Sequence, residues 1–318
     1  MTAPDVTTAG GRLDLDAAHA QMSRVRAFEE AVAEGHRDGS LPGLLHLSMG
    51  AEAVAVGLMS VLDLERDRVY SSHRPHGHFL AAGVDPRAVM AELAGRETGL
   101  CRGRGGTMHL MSEPVVMATG IVGGTLPIAV GHALRQPPGA VVVAIFGDGA
   151  VQTGIFHESL NLAALWKVPV LFVCENNGWA EFSSREEHTT VGGVVRYGDL
   201  YGIPAAEVDG ADVAAVAEAA AELLAPVRDG AGPALLECHI ARLRPHYEGD
   251  WREHRAEGDP LVAVEQALVA RGVAAEALAE RRQADVHEAR ALLASVLADE
   301  PAADPRHDRD LVFARSPR

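Results

Sequence analysis

Two short polar segments, Gly147-Asp148-Gly149 and Asn176-Asn177, combine residue types that suit a metal–phosphate ligand. The Asp148 carboxylate and the Asn177 amide oxygen are hard donors of the kind that magnesium prefers. Magnesium usually takes one or two carboxylates together with phosphate oxygens and water. Gly147 and Gly149 let the backbone turn tightly and approach a phosphate closely. Each segment alone is more often an ordinary turn, so the interpretation depends on whether the fold brings them together.

The elements that precede these segments predict that they meet. Residues 140–146 and 168–174 are short apolar runs rich in β-branched residues, typical of strands buried on both faces, and residues 155–166 between them have a helical apolar pattern. In a parallel β-α-β unit both strands end at the same edge of the sheet, where α/β folds bind ligands. The spacing of 29 residues (177 − 148) therefore predicts a magnesium–diphosphate site at this edge.

The same alternation continues along the chain and sets the expected fold class. We predict an α/β fold, with a mainly parallel sheet, helices on both faces and a helical C-terminal extension. The main domain should span residues 15–299, between a disordered tail at 1–14 and a flexible tail at 300–318. The remaining predicted elements are a strand at 233–240 and helices at 213–224, 261–271 and 274–297.

Charge and composition exclude several classes of protein. The formal net charge of −16 argues against nucleic-acid partners and against adsorption to anionic membranes. No apolar run approaches the roughly 20 residues of a transmembrane helix, and the first residues do not resemble a signal peptide. The three cysteines (Cys101, Cys174 and Cys238) are far apart and odd in number, which argues against disulfides or a zinc ribbon. We therefore expect a soluble, cytoplasmic protein.

The stretch GDGA…GIFHESLNLAALWKVPVLFVCENNGWA resembles the α subunit of thiamine-diphosphate-dependent 2-oxo acid and acetoin dehydrogenase E1 components. The similarity covers residues 43–250, about two-thirds of the chain, and includes several separate motifs. It implies a thiamine-diphosphate-binding fold, with thiamine diphosphate and Mg²⁺ as cofactors.

For the diphosphate end of the cofactor, the resemblance implies a set of ligands around the two polar segments. Asp148 and Asn177 would bind Mg²⁺ through their side chains, and Trp179 through its backbone carbonyl. Gly147, Gly149 and Ala150 would lie against the diphosphate. From the similar stretch GIVG, the backbone of Gly120 and Val122 would bind the aminopyrimidine ring.

Two histidine-bearing loops resemble further motifs of the family. In YSSHRPHGH (residues 70–78), His73 and Arg74 would bind the cofactor, and His76 would face the reacting carbon. In ARLRPHYEGD (residues 241–250), His246 would be a second active-site histidine that also contacts the cofactor. If the resemblance is not considered, His73, His76 and His78 are equally consistent with a zinc-like cluster. The neighbouring Arg74 favours an anion site instead.

The resemblance also implies partners. A β subunit would supply the activating glutamate and the pyrimidine pocket, in an α2β2 assembly, and the acyl group would pass to a lipoyl-bearing E2. Departures at Pro75, Gln152 and Arg244 motivate an alternative, in which an acyl-carrier protein accepts a two-carbon unit or two carbonyl compounds are joined. A non-catalytic binding subunit is a third interpretation. An NAD-binding protein is disfavoured because no G-x-G-x-x-G follows a predicted strand.

Overall fold

The computed structural model describes Val6 and residues 13–250 and 258–304. Most of the two predicted tails, at 1–14 and 300–318, lies outside the described residues. The start of the second tail is hydrogen-bonded to the domain, since Ala302 pairs with Arg96 and the Ala303 N–H donates to the Gly95 carbonyl at 2.8 Å.

A parallel sheet of six strands, in the order β2-β1-β3-β4-β8-β7, forms the centre of the fold. The predicted strands at 140–146, 168–174 and 233–240 are confirmed as β3, β4 and β8. A two-stranded antiparallel hairpin of β5 and β6 follows β4. The strand bounds are β1 Arg68–Ser71, β2 Val115–Ala118, β3 Val142–Gly147, β4 Val170–Asn176, β5 Trp179–Ala180, β6 Ser183–Ser184, β7 Ala205–Asp209 and β8 Ala234–His239.

Helices cover both faces of the sheet, as predicted. Along β3, Val143 and Ile145 face one buried cluster, whereas Val142, Ala144 and Phe146 face the other, so both faces are apolar. The helix bounds are α1 Leu15–Arg37, α2 Glu52–Met59, α3 His76–Ala81, α4 Pro86–Leu93, α5 Thr125–Ala133, α6 Gly154–Trp166, α7 Arg185–His188, α8 Arg196–Tyr201, α9 Val213–Arg228, α10 Pro260–Ala270 and α11 Ala275–Asp299.

The predicted C-terminal helices, α10 and α11, pack against the first helix of the chain. Arg26 on α1 binds both oxygens of Asp259, the N-cap of α10, at 2.9 and 3.0 Å. Arg290 on α11 forms an ion pair with Glu34 on α1. The C-terminal extension therefore closes onto the N-terminal part of the domain.

Helix boundaries near the site follow from ordinary capping. The Thr153 hydroxyl caps α6 by accepting from the Phe156 N–H, and a short 3-10 turn, Asp148–Gln152, joins β3 to this helix. Within the described residues, no helix is both long and apolar enough to cross a membrane.

Candidate active site

A cavity of about 380 Å³ lies at the carboxyl edge of the parallel sheet. Segments that follow β1, β2, β3, β4 and β8 all reach it, because parallel strands end at the same edge. Its walls include Ser72, His73 and Arg74 after β1; Thr119, Gly120, Ile121, Val122 and Gly123 after β2; Asp148, Gly149 and Ala150 after β3; Asn177, Trp179, Ala180 and Glu181 after β4; and His246 after β8.

All of the predicted cofactor-binding residues line this one cavity. They include Gly147, Asp148 and Gly149 of the first polar segment and Asn177 of the second, which β3 and β4 bring together by pairing in register from Val142↔Val170 to Gly147↔Glu175. Their roles remain predictions, but their convergence follows from the β3-α6-β4 unit that the sequence indicated.

Asp148 forms the acidic floor of the cavity. Its side chain is only 1% exposed, and Oδ1 accepts a long hydrogen bond of 3.4 Å from the Asn177 N–H. Oδ2 is buried without a hydrogen-bond partner. Burial raises the pKa of Asp148 to about 6. An unpaired buried carboxylate oxygen is costly, and a divalent cation is the kind of ligand that would compensate for it.

Asn177 and Trp179 come just after β4, on the segment whose Asn177 N–H reaches Asp148. The Asn177 side-chain oxygen accepts from the Trp179 N–H at 3.0 Å, which shapes the turn into β5. Arg242 lies over the Trp179 ring, 5.5 Å from its centroid, and donates to the Glu181 carbonyl at 2.8 Å. The neighbouring Asn176 has a structural role instead, because its amide nitrogen donates to the buried Glu237 at 2.6 Å.

Arg74 brings positive charge to the same wall. Its guanidinium donates from Nη1 to the Leu47 carbonyl and from Nη2 to the His246 carbonyl, both at 2.7 Å. Burial and the neighbouring Arg242 lower the pKa of Arg74 to about 10, so it stays protonated at neutral pH. A guanidinium has five N–H donors, which leaves capacity for an anion in the cavity.

Three histidine rings, of His46, His73 and His246, pack against one another beside Arg74. The ring centroid of His46 lies 5.2 Å from that of His73 and 4.9 Å from that of His246. Burial and the Arg74 charge lower the pKa of His46 to about 4 and that of His73 below its ordinary value. These two rings are therefore neutral at neutral pH, and the buried Nε2 of His73 has no hydrogen-bond partner.

His76 is not in the cavity, contrary to the expectation that it faces the reacting carbon. Its side chain is 0% exposed, and it is absent from the cavity wall. Its Nδ1 lies 3.0 Å from Glu29 Oε2 and its Nε2 lies 2.9 Å from the Thr107 hydroxyl. Because His76 is the first residue of α3, the helix turns it away from the loop that carries His73 and Arg74. In this structure His76 therefore lies behind the cavity wall, and its contact with the reacting carbon stays a prediction.

The zinc-like interpretation of His73, His76 and His78 is also not supported. His78 is bound between the Ser71 hydroxyl at 2.8 Å and Glu175 at 3.0 Å. In the described part of the chain, the one group of three His, Cys, Asp or Glu side chains close enough to share a metal ion is elsewhere, at Glu207, Glu237 and His239. The three histidines point to different partners, as the turn from loop to helix requires.

Sequence reasoning missed two residues that shape the site, His46 and Glu92. The only local signal for His46 is a histidine among leucines in Leu44-Leu45-His46-Leu47. Glu92, which is fully buried, accepts from the N–H groups of residues 101, 103, 105 and 106 at 2.6–3.2 Å. It thereby organises the loop that leads to Met108 in the cavity wall. No pattern in the sequence marks this role.

The donors in the cavity fit a magnesium–diphosphate group. Asp148 offers an unpaired oxygen and Asn177 an amide oxygen, which are hard ligands. Both glycines line the cavity; a Cβ added at Gly147 would meet nothing closer than 4.0 Å, whereas one added at Gly149 would crowd Ala180, whose Cβ would lie 3.0 Å away. The same cavity also carries the protonated Arg74 guanidinium and the neutral imidazoles of His46 and His73, which suit an anion and a polar reactant.

Known proteins resemble this chain over most of its length. The family model for the dehydrogenase E1 component matches residues 20–292. The α subunit of acetoin:2,6-dichlorophenolindophenol oxidoreductase from Cupriavidus necator is 45% identical over 75% of this chain and 73% of its own length. The Bacillus subtilis protein of the same name is 41% identical over 77% and 75%. The pyruvate dehydrogenase E1 component subunit alpha of Zymomonas mobilis is 40% identical over 80% and 75%.

Proposed function

Because this chain belongs to the family of dehydrogenase E1 components, we propose that it is the α subunit of an enzyme dependent on thiamine diphosphate and Mg²⁺. The reaction is the cleavage of a 2-oxo acid or an acyloin, with transfer of the acyl group to a lipoyl acceptor. The single observation that carries the proposal is the unpaired Asp148 oxygen, which lies in a cavity shared with Asn177 and two glycines.

In this proposal the chain binds the cofactor by its diphosphate end. Asp148, Asn177 and the Trp179 carbonyl hold Mg²⁺, while Gly149, Ala150 and Arg74 contact the diphosphate. When bound, thiamine diphosphate would supply two things: a carbanion as the nucleophile for a carbonyl carbon, and a ring that accepts electrons. The raised pKa of Asp148 favours this assignment, because a cation would recover the energy lost on burying the carboxylate.

The three clustered histidines act at the reacting end. His246 and His73 keep their proposed roles beside the cofactor, and His46 joins them because it lines the same wall. A neutral imidazole can accept or donate one hydrogen bond at each nitrogen. The cluster is thus suited to orienting a 2-oxo or hydroxyl oxygen and to moving a proton.

The activating glutamate is proposed to come from a β subunit. The carboxylates that line the cavity among the described residues are Asp148, on its floor, and Glu181, whose backbone carbonyl binds Arg242. Ile121 and Val122 at the rim are 70% and 57% exposed, next to Gly120. A partner that covers this rim would bury apolar surface and complete the pyrimidine side of the site. We propose an α2β2 assembly on this basis.

Calorimetry tests the function and the split site together. We would titrate thiamine diphosphate with Mg²⁺ into the chain alone and into the complex with its co-expressed β subunit, and repeat it with Asp148→Ala. Mg²⁺-dependent binding that occurs in the complex and is lost in the variant supports the proposal. Absence of binding in both forms would favour a non-catalytic role.

A carrier-protein acceptor remains the second candidate, motivated by Arg244 and Pro75, which constrain two loops at the cavity. Arg244 forms a two-bond ion pair with Glu248, at 2.9 and 2.5 Å, immediately around His246. Pro75 fixes φ just before α3. Parallel assays of acyl transfer to lipoamide and to a phosphopantetheinylated carrier protein distinguish the two acceptors.

A further inference from the structure

Glu29, on α1, accepts three hydrogen bonds although its side chain is 0% exposed. Oε1 accepts from the Ser48 N–H at 2.8 Å and from the Ser48 hydroxyl at 2.6 Å, and Oε2 lies 3.0 Å from His76 Nδ1. Burial opposes ionisation, but the contacts with His76 and Ser48 outweigh it and lower the pKa of Glu29. The group is therefore an ionised carboxylate with specific partners.

The hydrogen bonds continue beyond Glu29 as a directed chain. Because the carboxylate accepts, His76 carries a proton on Nδ1, and its Nε2 shares a hydrogen bond of 2.9 Å with the Thr107 hydroxyl. The Ser48 hydroxyl also accepts from the Gly77 N–H at 3.2 Å. The ionised carboxylate thus makes the Ser48 N–H, the Ser48 hydroxyl and the His76 Nδ1–H donors.

These hydrogen bonds connect Glu29 to three separate loops that form the cavity wall. Ser48 follows His46 by two residues, His76 follows Arg74 by two, and Thr107 precedes Met108. His46, Arg74 and Met108 all line the cavity, whereas Glu29, His76 and Thr107 do not. The Leu47 carbonyl, which adjoins Ser48, receives one of the Arg74 hydrogen bonds.

We propose that Glu29 is a positioning residue for the E1 reaction, which holds these three loops in register through Ser48, His76 and Thr107. The proposal rests on the function proposed above. It also gives His76 a role behind the wall that it was expected to form. Placement errors of about 1 Å in such walls reduce rates strongly, so the effect of losing Glu29 should appear in turnover and not only in stability.

The first test is Glu29→Gln in the α/β complex with thiamine diphosphate and Mg²⁺. The Ser48 N–H keeps the amide oxygen on its side, so the amide N–H₂ faces the Nδ1–H of His76 and the hydrogen bond between residue 29 and His76 is lost. We expect kcat/KM to fall at least tenfold. The matched control is Asp67→Asn, a fully buried carboxylate that binds Arg228 and the Val141 N–H at the opposite edge of the sheet. This control should change kcat/KM less than twofold.

A second pair of variants covers the case in which Glu29→Gln fails to fold. Thr107→Val removes the hydroxyl at the end of the chain while keeping the side-chain shape, and Thr107→Ser restores it. We expect at least a fivefold loss of kcat/KM in the valine variant and recovery to within twofold of wild type in the serine variant. Equal activities in the two variants would overturn the proposal, as would a Glu29→Gln effect no larger than that of Asp67→Asn.

Hydrogen–deuterium exchange separates this proposal from the proposed function. If the wild-type complex binds no thiamine diphosphate, the function fails, and the positioning claim is judged on exchange alone. Faster exchange in Glu29→Gln at residues 46–50, 73–77 and 105–109 together, unlike in Asp67→Asn, supports it. Unchanged exchange in those three segments contradicts it.

Discussion

Arg74 donates a hydrogen bond of 2.7 Å to the backbone carbonyl of His246, 172 residues further along the chain. The same guanidinium holds the Leu47 carbonyl at 2.7 Å. One side chain therefore joins the loop after β1 to the loops that carry the other two histidine rings of the cavity. Arg74 thus holds the loops together through its hydrogen bonds and also brings a positive charge to the cavity.

Replacing Arg74 with Lys should weaken cofactor binding even though the charge remains. An ammonium group cannot hold two carbonyls in the planar fork and also face the diphosphate. Loss of one or two charge-assisted bonds predicts about tenfold to hundredfold weaker binding. Calorimetry of the α/β complex measures it. Arg228→Lys, at the Asp67 ion pair on the opposite edge, is the control and should bind normally.

Asp148→Asn should stabilise the cofactor-free complex while abolishing Mg²⁺-dependent binding. The folded pKa of about 6 lies above the ordinary value of 3.8. Ionisation of Asp148 therefore lowers the free energy of unfolding by an amount that is small below about pH 4, grows between pH 4 and pH 6, and is complete above pH 6. The cost is at most about 3 kcal/mol at pH 8 and about half of that at pH 5. Thermal unfolding of wild type and variant at both pH values checks this. A variant less stable than wild type at pH 8 would contradict the prediction.

His46 should make the protein sensitive to mild acid. Its folded pKa of about 4 lies below the ordinary 6.5, so the free energy of unfolding is unaffected above pH 7 and decreases as the pH falls from 6.5 towards 4. His46→Asn removes this proton and keeps a donor for the Leu44 carbonyl. When the pH falls from 7.5 to 5, the free energy of unfolding of wild type should decrease by up to about 2 kcal/mol more than that of the variant. Equal losses in denaturant titrations would argue against it.

Glu92→Gln should loosen the loop at residues 101–106. The carboxylate accepts four backbone N–H groups, and a glutamine amide would direct its own donors at some of them. We expect a loss of about 2–4 kcal/mol in the free energy of unfolding, and faster tryptic cleavage after Arg102 and Arg104. Glu97→Gln, at the ion pair with Arg104, should change stability by much less, since that pair is only partly buried.

The sequence by itself determined three of the six strands of the sheet and the core of the candidate site. Strands β3 and β4 and helix α6 are adjacent in the chain, and their apolar patterns are strong, so their parallel pairing follows from local information. That pairing brings Asp148 and Asn177 together without any knowledge of the rest of the molecule. The resemblance to the family added the distant members, such as Arg74 and His246, which also line the cavity.

Only the tertiary structure decided which histidines face the cavity. His73 and His76 are three residues apart, and the start of α3 between them turns one ring towards the cavity and the other towards Glu29. His46 lies in the wall two residues before Ser48, and the Ser48 N–H donates to Glu29, which is 19 residues earlier than Ser48. A local pattern fixes an element, but the direction of a side chain at its end depends on partners that are far away in the sequence. Burial and hydrogen bonding select those partners only when the chain is folded.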